Sequence, residues 1–108
     1  MAERHFQAKL IKKIKEIFPG CIVQKNDTFR KQGMPDLLIL YKKRWAILEC
    51  KDHKPTKSDF RPNQEYYVDL LDKMSFSRVI YPENEKEVLD DLQQALRPRR
   101  STRISGRE

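Results

Sequence analysis

Long apolar runs are missing from this sequence. The longest, Leu37 to Tyr41, falls far below the ~18 residues of a membrane span, and the opening Met-Ala-Glu-Arg-His has no apolar stretch of the kind a secretory leader carries. We therefore expect a cytoplasmic protein with no membrane partner. Cysteine is scarce as well. Cys21 and Cys50 are too few for a disulfide framework and show neither zinc-ligand spacing nor a helpful neighbouring histidine, so both read as core thiols in a reducing compartment. Internal repeats are absent, and no low-complexity block precedes the C-terminal tail.

Charge, by contrast, is plentiful and unevenly placed. The formal charge is +7, and five arginines against Glu108 put +4 of it in the last dozen residues, leaving +3 for the rest. Lys and Arg neutralise phosphates and release their counterions, so a basic tail on a mildly basic body suits a polyanion; a merely solvated tail is the alternative. With 108 residues and 38% hydrophobic content, the chain can form one modest core. We expect one domain over residues 1–96 and a basic, disordered tail over 97–108.

Along the chain, Phe6, Leu10, Ile11, Ile14, Ile17 and Phe18 gather on one face of a helix over residues 3–18, ended by Pro19-Gly20. Cys21 to Lys25 reads as a short strand and Asn26 to Gly33 as a basic loop. Two aliphatic segments, Asp36–Tyr41 and Arg44–Lys51, are separated only by Lys42-Lys43, which predicts a hairpin. A second helix is expected from Pro62, as its first residue, to about Lys73, and a strand from Ser77 to Tyr81. The last helix is expected to open with Asn84 and Glu87 as an approximate capping box and to bury Val88, Leu89, Leu92 and Leu96.

The chemistry lies in the hairpin. A two-residue or symmetric four-residue loop pairs Leu40 with Trp45, Leu38 with Ile47 and Asp36 with Glu49. Directly opposite residues have Cβ atoms roughly 4.5–5.5 Å apart, where like charges destabilise unless a cation lies between them. Strand alternation puts Lys51 on the face of Glu49 and turns Cys50 away. Alone, a Glu-x-Lys triplet reads as ordinary strand-end charge. Both hairpin faces are apolar, however, which predicts interior strands covered on both sides, with Asp36, Glu49 and Lys51 at the rim of a covered sheet. Two hard carboxylates can hold Mg²⁺ with waters attached, and such an ion polarises a phosphoryl oxygen while Lys51 stabilises developing charge.

These strings carry a resemblance. Gly33-Met34-Pro35-Asp36 followed by Glu49-Cys50-Lys51 resembles the motif of the PD-(D/E)XK nuclease superfamily, and Glu3-Arg4-His5-Phe6-Gln7 with Arg61-Pro62-Asn63-Gln64 is similar to the flanking motifs of its VRR-NUC branch. That branch lies close to archaeal Holliday junction resolvases and includes small stand-alone phage proteins. The resemblance covers residues 3–96. It implies a restriction-endonuclease-like α-β-β-β-α-β core, an α/β fold with a mixed central sheet flanked by helices, here with a further C-terminal helix. It also implies Mg²⁺ or Mn²⁺ as cofactor, cleavage leaving a 5′ phosphate, and a metal set of Glu3, Asp36, Glu49 and the Cys50 backbone carbonyl, with Lys51 and Gln64 catalytic.

The helix periodicity places Glu3 and Gln7 on the apolar stripe, with Glu16 on the far side, so Glu3 is expected to face inward; complementing the positive helix end is the other reading. Gln64 shares a face with Tyr67, Val68 and Leu71, which fits either a site residue or a buried, capping amide. Arg30, Lys31, Lys54, Lys57 and Arg61 are candidate phosphate contacts, or else a solvated loop. Phe6 and Trp45 read as core, and His53 receives no role. The expected activity is Mg²⁺-dependent DNA endonuclease, without an organic cofactor. Branched DNA is the preferred substrate because no separate domain remains to read bases, and paired cuts favour a homodimer. Alternatives are a nicking or end-processing nuclease with a larger partner, and a non-catalytic nucleic-acid-binding protein.

Overall fold

The computed structural model describes residues 2–26 and 31–97. Helix α1 (Ala2–Ile17) is followed by strands β1 (Ile22–Lys25), β2 (Leu37–Tyr41) and β3 (Arg44–Cys50), then α2 (Gln64–Met74), β4 (Phe76–Ile80) and α3 (Glu85–Leu96). The strands form one mixed sheet in the order β1-β2-β3-β4. Its first two junctions are antiparallel, and β3 pairs with β4 in parallel through the α2 crossover. No described helix is long and apolar enough to cross a membrane.

The stripe of α1 buries Leu10, Ile14 and Phe18, and Gly20, at φ +88°, turns the chain where a side chain would be strained. The hairpin turn is Lys42-Lys43, and the register runs from Tyr41 opposite Arg44 to Leu37 opposite Leu48, as the sequence predicts. On one face, α1 and α3 bury Leu37, Ile39, Ala46, Leu48, Cys50 and Ile80. On the other, α2 covers β3 and β4 only.

Several expectations are corrected. Cover on both faces holds for β3, whose residues from Ala46 to Cys50 are all buried, but not for β2, where Leu38 is half-buried and Leu40 exposed. One helix cannot span four strands. Pro62 lies before α2 rather than at its first position: Asn63, at φ 71°, forms the turn, and Gln64 begins the helix. Asn84 does not cap α3 through its side chain. Its Oδ1 accepts from the Tyr81 N–H at 2.8 Å and its Nδ2 donates to the Val79 carbonyl at 3.0 Å, closing the 3-10 turn over Pro82–Asn84.

The tail boundary also moves. Arg97 donates from Nε and a terminal nitrogen to the Tyr41 hydroxyl at 3.2 and 3.1 Å, and stacks 5.1 Å from the Phe18 ring centre. Arg97 therefore belongs to the fold, and the remaining tail residues lie outside the described ones. Cation–π contacts and charge-assisted hydrogen bonds at partly exposed sites contribute about 1 kcal/mol each. Arg97→Ala is expected to lower unfolding free energy by about 1–2 kcal/mol. In a urea-unfolding cycle with Tyr41→Phe, the two changes should be less than additive; full additivity would show that the hydroxyl contact contributes nothing.

Candidate active site

The chain's directions set the site. Strands β3 and β4 both run away from the hairpin turn, so α2 and α3 begin at the opposite end of the sheet. Helix α1 begins there too, since Phe18 at its far end meets Tyr41 with ring centres 5.0 Å apart. The N-termini of all three helices thus gather where Asp36 and Cys50 lie.

The β2–β3 ladder stops at Leu37 opposite Leu48, and Asp36 is not a ladder partner of Glu49 as the extended register would have it. The next β3 N–H facing β2 belongs to Cys50, and the Asp36 side chain takes it, with Oδ2 accepting at 2.9 Å. A strand residue's N–H and C=O point to the same edge, so the Cys50 carbonyl also faces the Asp36 side. Asn26 fixes the approach to this position: its N–H donates to the Asp36 carbonyl at 2.8 Å and its Nδ2 to the Pro35 carbonyl at 2.7 Å.

Glu49 projects from β3 beneath α2 and is only 1% exposed. Burial first, then the Asp36 charge, push its carboxyl up to about 8, against the opposing pull of Lys51. Its Oε2 lies 3.5 Å from Lys51 Nζ, whereas its buried Oε1 has no hydrogen-bond partner among the described residues. Asp36 is also raised, chiefly by burial, with the Cys50 N–H and Lys51 acting in the opposite sense.

Lys51 is buried and held on several sides. Its Nζ donates to the Asp59 carbonyl at 2.8 Å and to Gln64 Oε1 at 3.2 Å, and lies 5.2 Å from the Phe60 ring centre. Gln64 Oε1 also accepts the Arg61 N–H at 2.8 Å, so this buried amide both closes the turn before α2 and orients Lys51. Cys50 points into the opposite core, where burial pushes its thiol up.

The structure thus brings Asp36, Glu49, Lys51 and Gln64 together. Glu3 is at the same end, exposed in the first turn of α1 before Phe6, and close enough for its charge to act on Glu49 and to feel that of Asp36. Partial burial and then Asp36 raise the Glu3 carboxyl, with Lys51 and Arg61 countering. Arg61 is exposed, close enough for its charge to act on both Asp36 and Glu3. Lys31 lies 5.6 Å from the Tyr67 ring centre, and Lys54 and Lys57 stand exposed on the segment between β3 and α2. Arg30 lies outside the described residues.

Sequence reasoning missed what holds that segment. The His53 ring sits between two carboxylates, Nδ1 2.5 Å from Asp52 and Nε2 3.1 Å from Asp59, and Asp59 Oδ2 also accepts the Thr56 N–H at 2.8 Å. Two acceptors around one imidazole require both nitrogens protonated. Asp59 in turn supplies the carbonyl that receives Lys51. Thr56-x-x-Asp59 is a capping-box pattern and was the available signal. The His53 pKa is raised by its bonds to Asp52 and Asp59. This clamp therefore stabilises the fold below the free-histidine range and is lost as pH rises through the raised value. By proton NMR, His53 should titrate above a free histidine, and Asp59→Asn should bring it down; an unmoved titration in that variant would show that Asp59 does not hold the charged ring.

The donors suit Mg²⁺. A buried carboxylate oxygen lacking a partner is costly unless a ligand satisfies it, and here a second carboxylate and a backbone carbonyl edge stand beside it. Among the described residues no group of three or more His, Cys, Asp or Glu side chains is placed to hold a metal ion. Comparison of the chain with protein-family models, curated proteins and solved structures finds no match.

Proposed function

We propose that this chain is a metal-dependent DNA endonuclease that hydrolyses phosphodiester bonds, of the PD-(D/E)XK type that its motifs resemble. The observation that carries the reading is the buried Glu49 Oε1, without a partner among the described residues, next to Asp36 and to a lysine held in place by Asp59 and Gln64. The Lys51 pair engages only Oε2, so it does not by itself account for the burial of Oε1. The α-β-β-β-α-β order expected of that fold is also the order of these elements.

Asp36, Glu49 and the Cys50 carbonyl would hold Mg²⁺ or Mn²⁺, which when bound neutralises phosphoryl charge and acidifies water. Lys51 presents a fixed ammonium, already relieved of much of its water, to the charge that develops on the phosphate. Removing such a preorganised group costs about 10²–10³ in rate. Gln64 positions Lys51, and Asp36, anchored by the Cys50 N–H, keeps its other oxygen for the ion. Arg61 and Lys31 lie on the same end, where they can meet phosphates flanking the scissile bond.

Branched DNA with a homodimeric enzyme remains our preferred substrate arrangement, because paired cuts across a junction need two sites. Sedimentation at micromolar concentration should give a dimer; a monomer that cuts plain duplex and junctions equally would defeat this part. The competing class is a DNA-binding protein without catalysis. Titration calorimetry with Mn²⁺ separates them: we expect saturable uptake by wild type and its loss in Asp36→Asn. No uptake by wild type would remove the basis of the enzyme reading.

A further inference from the structure

The end of the molecule opposite the carboxylates is basic. Lys42, Lys43 and Arg44 stand exposed on the hairpin turn; exposed Lys15 and Lys73 lie in the last turns of α1 and α2, and Arg97 closes α3 beside Tyr41. All three helices end here because all three begin at the carboxylate end. Among the described residues the carboxylates nearby are Glu16, Asp72, which is occupied by Arg78, and Asp90, which lines a surface groove with Arg97. From Arg97 the sequence continues with Arg99, Arg100, Arg103 and Arg107.

Cations at helix C-termini complement the helix dipole, which accounts for Lys15, Lys73 and Arg97 without any ligand. It does not account for the turn. A two-residue hairpin turn with a left-handed first position calls for glycine, yet Lys42 occupies it at φ 56°. The local conformational rule is broken by a charged side chain that lies over the Tyr41 ring, 5.3 Å from its centre, and is followed by two more of the same sign that repel it. Such violations mark positions retained for function.

We propose that Lys42, Lys43 and Arg44, with Arg97 behind them, form a second, non-catalytic surface that binds the phosphates of duplex DNA. The choice of DNA rests on the function proposed above. Seven residues of β3 separate Arg44 from Lys51, or ~23 Å at ~3.3 Å per residue, which matches roughly 7 base pairs of duplex. The basic pole would then grip an arm of the substrate about two-thirds of a helical turn from the cleaved bond, where no base is read.

The test is Lys42→Gly, alone and combined with Lys43→Gln and Arg44→Gln, by fluorescence anisotropy with a 24-base-pair duplex in EDTA at several KCl concentrations. Lys42→Gly should raise the melting temperature, by relieving the left-handed lysine, and at the same time weaken DNA binding. The triple variant should lose at least tenfold in affinity at 0.1 M KCl, and the slope of log K against log salt should fall in magnitude by about 2–3, near 0.9 per phosphate contact. A higher melting temperature with unchanged affinity and slope would overturn the proposal, leaving Lys42 a turn residue only. Weaker binding to phosphatidylserine vesicles with DNA binding intact would overturn it in favour of a membrane surface. Since EDTA prevents cleavage, this result is independent of catalysis: wild type that binds but never cuts contradicts the nuclease reading alone.

Discussion

Glu49→Gln is expected to abolish metal-dependent DNA cleavage while making the metal-free protein more stable than wild type above pH 7. Burial and Asp36 raise the Glu49 carboxyl to about 8, far above its value of ~4.3 in an unfolded chain. Between these two values the folded protein keeps a proton that the unfolded chain has released. Stability of the metal-free protein from this group is therefore fully present below pH ~4.3, declines as pH rises, and is gone above pH 8. The penalty for ionising Glu49 at alkaline pH is on the order of a few kcal/mol, reduced by its attraction to Lys51. Glutamine keeps the shape, gives Lys51 a neutral acceptor, and removes the slope. Thermal unfolding in EDTA from pH 5 to 9 should show a falling melting temperature in wild type and a flatter profile in the variant. If Glu49 were there for the Lys51 pair, the variant would be the less stable protein at every pH.

The second large effect is expected at Gly33. It is buried at φ +94°, and a Cβ added there would lie 2.6 Å from Asn63 Cβ and 2.7 Å from the Asn63 carbonyl carbon. These distances are below any tolerable contact, and one of the atoms is backbone. Left-handed strain of ~1–2 kcal/mol and overpacking of ~1–3 kcal/mol together predict that Gly33→Ala destabilises by roughly 2–5 kcal/mol, or about 10–30 °C in melting temperature. Gly20→Ala is the control: it carries similar strain at φ +88° with no atom within 4 Å, so only the strain of about 1–2 kcal/mol should be lost. Relief of the clash must displace Asn63 or the Met34–Asp36 approach. Either movement pulls Gln64 from Lys51 or Asp36 from Cys50, so cleavage should fall even at temperatures where the variant is folded. Equal melting temperatures for the two glycine variants would mean that the 33–63 contact is not made.

The parts of this architecture legible in sequence are those fixed by periodicity and local pairing. Two residues between β2 and β3 determine every pair of the hairpin, and alternation then separates Glu49 and Lys51 from Cys50. What was illegible depends on contacts between distant segments. Asn63 adopts a left-handed conformation against Gly33, thirty residues earlier, and this delays α2 past Pro62. The Asp59 carbonyl that receives Lys51 lies on a segment whose turn and histidine clamp leave no apolar pattern. The outer face of β2 reads as buried because Leu38 and Leu40 are apolar, but among the described helices α2 packs on that side, and it serves β3 and β4. Asp36 was placed correctly at the rim, and its bond to the Cys50 N–H follows from where the ladder ends, which pairing rules alone do not give.

The central claim is that Asp36, Glu49 and Lys51 are one catalytic centre for phosphodiester hydrolysis. It is tested most directly by incubating labelled duplex, flap, fork and four-way-junction DNAs with wild type, Glu49→Gln and Lys51→Met, each with Mg²⁺ and with EDTA. The account predicts Mg²⁺-dependent cuts by wild type, greatest on the junction, no cutting in EDTA, and loss of activity in both variants although each remains folded and binds DNA. Cleavage by Glu49→Gln at the wild-type rate, or by wild type in EDTA, would contradict it.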